Sequence, residues 1–142
     1  MPGVRRPSVP LVCALLACTT VLAGACGGTD THGSDAAPVV PASQFQDLTG
    51  HRTVTIDAVD DEFQQRYVEV SPGTEVVFRN AGSNPHNVLA VDEGAFPDID
   101  TEQLMPGDRA TVTLDGTGAY PYYCSLHGSP TQGMNAEIVV KG

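Results

Sequence analysis

Basic side chains are scarce in this sequence. Seven Lys and Arg stand against seventeen Asp and Glu, and the formal net charge is -10. That balance offers no footprint for a polyphosphate backbone and excludes nucleic acid as a partner. Cysteine is also scarce. Of the four, Cys13 and Cys18 sit in one apolar stretch near the start, so their spacing carries no disulfide framework. No C-x-x-C-H run is present for a c-type haem. The one extended apolar run, "VPLVCALLACTTVLAGA", is interrupted by Thr and rich in Ala. A bilayer core needs about 20 strongly apolar residues, which this run barely reaches. No segment has a convincing amphipathic helical period, and no internal repeat is present.

What the start does contain is a secretory pattern: a basic "MPGVRRPS", the apolar run, then small residues in "LAGAC". It resembles a bacterial lipoprotein signal, in which the cysteine after the small residues becomes the lipidated first residue. Residues 1–25 are expected to be the signal peptide and Cys26 the lipidation site. Ordinary cleavage near Ala25 without a lipid is the alternative. The expected destination is the outer face of the cytoplasmic membrane, in the cell envelope, with the membrane contacted through the N-terminal lipid alone. Residues 26–44, mostly Gly, Thr, Ser, Asp, Ala and Pro, cannot bury enough surface to offset ordering and read as a flexible tether. Residues 45–142 are then one domain of ordinary size. Losing Arg5 and Arg6 leaves five basic against seventeen acidic residues, which suits a basic contact surface on a protein partner.

Within 45–142 the apolar period is two. "TVTIDAV" alternates Val54, Ile56 and Ala58; "RATVTL" alternates Ala110, Val112 and Leu114; "NAEIVV" alternates Ala136, Ile138 and Val140. Turns such as "SPG", "AGSNP", "MPGD" and "DGTG" separate the runs. Short strands at this spacing predict an all-β sandwich. A short helical turn is expected around Thr101 to Leu104, and Met105 reads as a packing residue.

Cys124 is the one thiol left in the folded part, and a lone thiol in an oxidising compartment is a liability unless buried or bound. It lies in "YPYYCSLHGSPTQGM", with His127 three residues on and Met134 before the last strand. His86, in "NPHNV", opens an earlier strand. All four lie at strand ends or in the loop between two strands, and in a sandwich strand ends gather at the poles. A thiolate and a thioether are soft donors, and imidazoles are borderline. Two His, one Cys and a weak axial Met make the blue-copper set, whose task is electron transfer. A free thiol has a pKa of about 8.5; a bound cation holds it deprotonated.

The stretches "PHNV" and "YYCSLHG…GMNAEIVV", with "VSPGTEVVFRN" and "MPGDRATVTL", resemble the cupredoxins, and within them the plastocyanin/pseudoazurin-like group. The likeness covers 52 to 141. It implies a Greek-key sandwich of about eight strands holding one copper ion, Cu(I)/Cu(II), near one pole. His86, Cys124 and His127 match the strong ligands, and Met134 the axial one. Asn87 and Ser125 match the residues that tie the two ligand loops together. The edge of His127, ringed by apolar residues such as Leu126 and Pro130, matches the electron port. Plastocyanin-like loops usually leave four residues between the second His and the Met, whereas "GSPTQG" leaves six.

The expected function is a small, monomeric one-electron carrier that serves redox protein partners through brief contacts. The alternative is a copper-binding module for chaperoning, storage or sensing. Catalysis is not expected. Cys124 and His127 have no evident third member for an oriented triad. Multicopper oxidases and copper nitrite reductases need further domains and extra His ligands, and a binuclear copper site needs a second Cys.

Overall fold

Each apolar alternation in the sequence becomes a strand with one face turned inward. Residues 39–142 are described by a computed structural model. The signal peptide, Cys26 and most of the tether lie outside them. Nine strands occur among the described residues: β1 (Gln46–Asp47), β2 (Thr53–Val59), β3 (Glu62–Phe63), β4 (Tyr67–Val70), β5 (Thr74–Asn80), β6 (Leu89–Ala90), β7 (Arg109–Leu114), β8 (Gly118–Ser129) and β9 (Gln132–Val140). The count exceeds the eight expected because β1, β3 and β6 are two-residue pieces at sheet margins.

The strands form two sheets, one ordered β1-β4-β9-β8-β6 and the other β3-β2-β5-β7. Every connection crosses from one sheet to the other except β2–β3 and β8–β9. As a result β2 and β5 are parallel neighbours, as are β4 and β9. Register pairs like with like: Val54 opposes Val76, Ile56 opposes Phe78, and Val68 opposes Ile138. These side chains are buried between the sheets, each contributing about 1.5–3 kcal/mol relative to exposure. On the outer face of the second sheet, Asp57 and Arg79 also sit in register, and the guanidinium donates to both carboxylate oxygens at 2.6 Å.

Tyr122 is the centre of the core. It is fully buried, with Phe63 at 4.9 Å and Phe78 at 5.3 Å between ring centroids, both edge-on. Its hydroxyl has no hydrogen-bond partner. Tyr120 and Tyr123 are half-buried, and Tyr120 donates its hydroxyl to the Gly116 carbonyl at 2.8 Å.

The helical turn expected near residue 101 is a 3-10 turn, Thr101–Gln103, started by an Asp100–Gln103 capping box. Met105 does not pack as the sequence suggested. It is 43% exposed, because the Pro106–Gly107 turn that follows closes with Asp108 N–H bonding to the Met105 carbonyl and turns the side chain outward. Upstream, Ala42–Gln44 form a second 3-10 turn, and Phe45 tilts against Tyr67 at 5.6 Å. Among the described residues no helix is long and apolar enough to cross a membrane.

Candidate metal centre

The centre is built on an interruption in the β8–β9 ladder. Pairing runs from Gly118↔Val140 to Tyr123↔Asn135, breaks, and resumes at Gly128↔Gly133 and Ser129↔Gln132. Cys124, Ser125, Leu126 and His127 therefore oppose Met134 alone. Such a bulge bends its strand and re-aims side chains. Here it puts the Cys and the second His on a short arc facing the Met.

This also resolves the long spacer. The six residues between His127 and Met134 do not form an open loop. They continue the hairpin by two more pairs and turn at Pro130–Thr131. The extra length is taken up above the site, and Met134 returns opposite the bulge, 1% exposed.

His86 arrives from the other side, on the segment between β5 and β6. Asn80, buried at the end of β5, shapes that segment. Its amide donates to the carbonyls of Asn84 at 2.7 Å and Leu104 at 2.9 Å, and its Oδ1 accepts from Gly82 N–H at 3.0 Å. Leu104 also accepts the His86 N–H at 3.2 Å. Nothing in the sequence marked Asn80 as part of this support, since a polar residue closing a strand usually faces water.

Three donors meet. The Cys124 sulfur lies 3.6 Å from His127 Nδ1 and 3.9 Å from His86 Nδ1. All three ligand atoms lie within 4.8 Å of one another. Bonds of about 2.0–2.3 Å to a first-row ion would set donors at comparable separations. Cys124 and His86 are fully buried, and the His127 side chain is 20% exposed. The two imidazoles tilt at 60° with centroids 4.9 Å apart. Sulfur and ring nitrogens gathered in a dry pocket fit a soft-to-borderline cation. Met105, exposed on its turn, is not gathered with them.

Asn87 and Ser125 join the two ligand segments reciprocally. Asn87 Nδ2 donates to Ser125 Oγ, and Ser125 N–H donates to Asn87 Oδ1, both at 2.9 Å. Leu126 is 51% exposed beside His127, and Pro130 is half-buried at the hairpin turn. Asp61, at the β2–β3 turn, brings Oδ1 to 3.8 Å from His127 Nε2. Burial, and then the neighbouring His127, hold His86 below the ordinary histidine range, while Asp61 and Asp60 act the other way. The His86 Nε2 is buried without a partner, while its Nδ1 faces the Cys124 sulfur.

Residues 51–141 match the family of copper binding proteins described as the plastocyanin/azurin family. A chloroplastic plastocyanin of Fritillaria agrestis is 40% identical over 83 residues, 51% of this chain and 48% of that one. The plastocyanin of Vicia faba is 37% identical over 82 residues, 51% of this chain and 80% of that one. The chain thus spans about half the length of the chloroplastic plastocyanins it matches. Among solved structures, a purple cupredoxin from Nitrosopumilus maritimus shares the fold at a TM-score of 0.51 and 24% identity, over 61% of this chain and 98% of that one. A Cu-containing nitrite reductase from Thermus scotoductus is similar at a TM-score of 0.52 and 25% identity, but over 22% of its own chain and 63% of this one. The family match over residues 51–141 and the buried cluster of sulfur and imidazole nitrogens lead to one conclusion: the chain belongs to the plastocyanin/azurin family of copper-binding proteins, and its cofactor is a single copper ion.

Proposed function

We propose that the domain is a blue-copper electron carrier, with His86, Cys124, His127 and Met134 as its ligands. The observation that carries this reading is the asymmetry of burial at the centre. Three donors, His86, Cys124 and Met134, are closed off from water, while the fourth, His127, keeps 20% of its side chain exposed. An electron entering or leaving through that edge crosses one imidazole ring. Copper supplies the one-electron Cu(I)/Cu(II) couple when bound.

The protein's own part is to hold the donors still. The Asn87–Ser125 pair locks two segments 38 residues apart in sequence, and the paired strands on both sides of the bulge fix the arc between them. Donors held this way need little rearrangement between oxidation states. Leu126 offers an apolar contact beside the port, and Asp60 and Asp61 offer negative charge next to it. That surface suits a redox partner with basic groups around an apolar spot, and a contact below about 1,200 Å² in total, as transient electron-transfer pairs make. We place the carrier at the outer face of a bacterial cytoplasmic membrane, lipid-anchored through Cys26.

The test is to add Cu(II) to the purified domain and record visible absorption and EPR. An intense thiolate-to-copper band with narrow hyperfine splitting, lost in Cys124→Ser, is the expected result. A band that survives that substitution would overturn the ligand assignment. Rapid loss of copper to a chelator without fast redox exchange would point instead to a copper-handling module.

A further inference from the structure

The β4–β9 ladder begins at Tyr67↔Glu137. Asn135, two residues earlier on β9, therefore has no β4 backbone opposite it. Arg66, the residue before β4, fills that place with its side chain. Its Nε donates to the Asn135 carbonyl at 2.8 Å and its Nη2 to Asn135 Oδ1 at 2.5 Å. The planar fork of an arginine matches two acceptors at once. Its backbone is fixed to the same strand, with Glu137 N–H donating to the Arg66 carbonyl at 3.0 Å. Its guanidinium carbon lies 5.2 Å from the Tyr67 ring centroid.

Asn135 is 5% exposed and borders the bulge on the strand side, paired with Tyr123. Its remaining amide group reaches past the bulge, with Nδ2 donating to the Ser129 carbonyl at 3.4 Å. Ser129 belongs to the two-pair hairpin extension beyond the site. In backbone pairing, that extension joins the rest of the sheet only through the bulge on β8 and Met134 on β9. The ladder pairs that would stiffen this join are missing across the gap. The Asn135 amide spans the gap, and Arg66 fixes which way that amide faces.

We infer that Arg66 is a positioning residue for the copper centre: by clamping Asn135 it straps the two ends of the bulge together and sets where His127 and Met134 stand. The inference rests on the reading of His86, Cys124, His127 and Met134 as copper ligands. Arg66 touches none of them and acts through Asn135.

The test compares wild type, Arg66→Ala and Arg66→Lys, with and without copper. In the metal-free proteins, amide hydrogen exchange from Gly128 to Met134 should quicken in Arg66→Ala while β2 and β5 keep wild-type protection. In the loaded proteins, Arg66→Ala should bind copper about 10-fold more weakly by chelator competition, the scale on which supports behind a ligand act. Its EPR hyperfine pattern and the relative strength of its visible bands should change. Arg66→Lys should fall between the two, because an ammonium replaces one bond of the fork and not both. Should Arg66→Ala lose its far-UV signal, Arg66→Gln, which keeps part of the stem and one donor, takes its place. Unchanged exchange near the hairpin would overturn the inference, as would a lowered melting temperature with unaltered copper affinity and spectrum. If wild type gives no thiolate-to-copper band, the ligand reading fails, and the exchange measurement still decides whether the strap exists.

Discussion

Gly128 and Gly133 face each other across the hairpin so closely that neither has room for a side chain. A Cβ on Gly133 would stand 2.6 Å from the His127 carbonyl, and one on Gly128 would overlap the Met134 nitrogen. Gly133 also sits at φ +72°, where a side chain is strained in any surroundings. Gly133→Ala should therefore destabilise the domain by about 2 kcal/mol or more. The displaced His127 carbonyl should also weaken copper retention. Thermal unfolding and chelator competition on the same variant measure both effects. A melting temperature within a degree of wild type would argue that the hairpin closes differently.

The Asn87–Ser125 pair makes a graded prediction. Ser125→Ala removes one hydrogen bond, worth about 1 kcal/mol. Asn87→Ala removes two and leaves the Ser125 N–H without its acceptor, so its cost should be about double. Copper dissociation should quicken in the same order, by about 10-fold for Asn87→Ala. Stopped-flow transfer to a chelator gives the rates. Equal effects of the two substitutions would show that the reciprocal geometry contributes nothing.

Tyr122 buries a hydroxyl among Phe63, Phe78 and Phe96 with no partner for it. Tyr122→Phe removes that group and leaves the packing in place. It should stabilise the domain by about 1 kcal/mol, which for about a hundred residues raises the melting temperature by about 4–8 °C. Calorimetry checks it. A loss of stability would mean that the hydroxyl has a partner after all.

Glu137 lies in an apolar groove of about 510 Å³ with Val139, Pro121, Phe45 and Val40. Burial raises its carboxyl above the ordinary glutamate value of 4.5. The folded state therefore holds this proton more tightly than the unfolded state. That preference is fully expressed below the ordinary value and is lost as the pH rises through the folded one. Against Glu137→Gln, wild type should be slightly less stable at neutral pH, and the gap should close on acidification below pH 4.5. Denaturant titrations at two pH values read the sign. A gap that widens in acid would contradict the burial effect.

Much of this was legible in the sequence, and the reason is periodicity. Val54, Ile56 and Ala58, or Ala136, Ile138 and Val140, declare which face of a strand is inward without knowledge of its partner. The donor types of His86, Cys124 and His127 declare soft coordination wherever they meet. Partner choice was not legible. Nothing local says that β9 lies between β4 and β8, so the places of Arg66 and Asn135 beside the centre could not be read. The bulge was hidden for the same reason. "GSPTQG" looks like an open loop until Gly128 is seen paired with Gly133. Met105 failed as a packing residue because its Pro-Gly turn dictated its direction more strongly than its own hydrophobicity.

The ladder order has a consequence for how a newly made molecule comes to hold its ion. β9 carries Met134 and is inserted between β4 and β8, both made before it. Until that strand docks, the arc of residues 124–127 has nothing to bulge against and no Met134 opposite it. Without β9 the centre has its sulfur and imidazole donors but lacks the thioether opposite them. The full set of four donors is assembled only with the central strand in its place between β4 and β8.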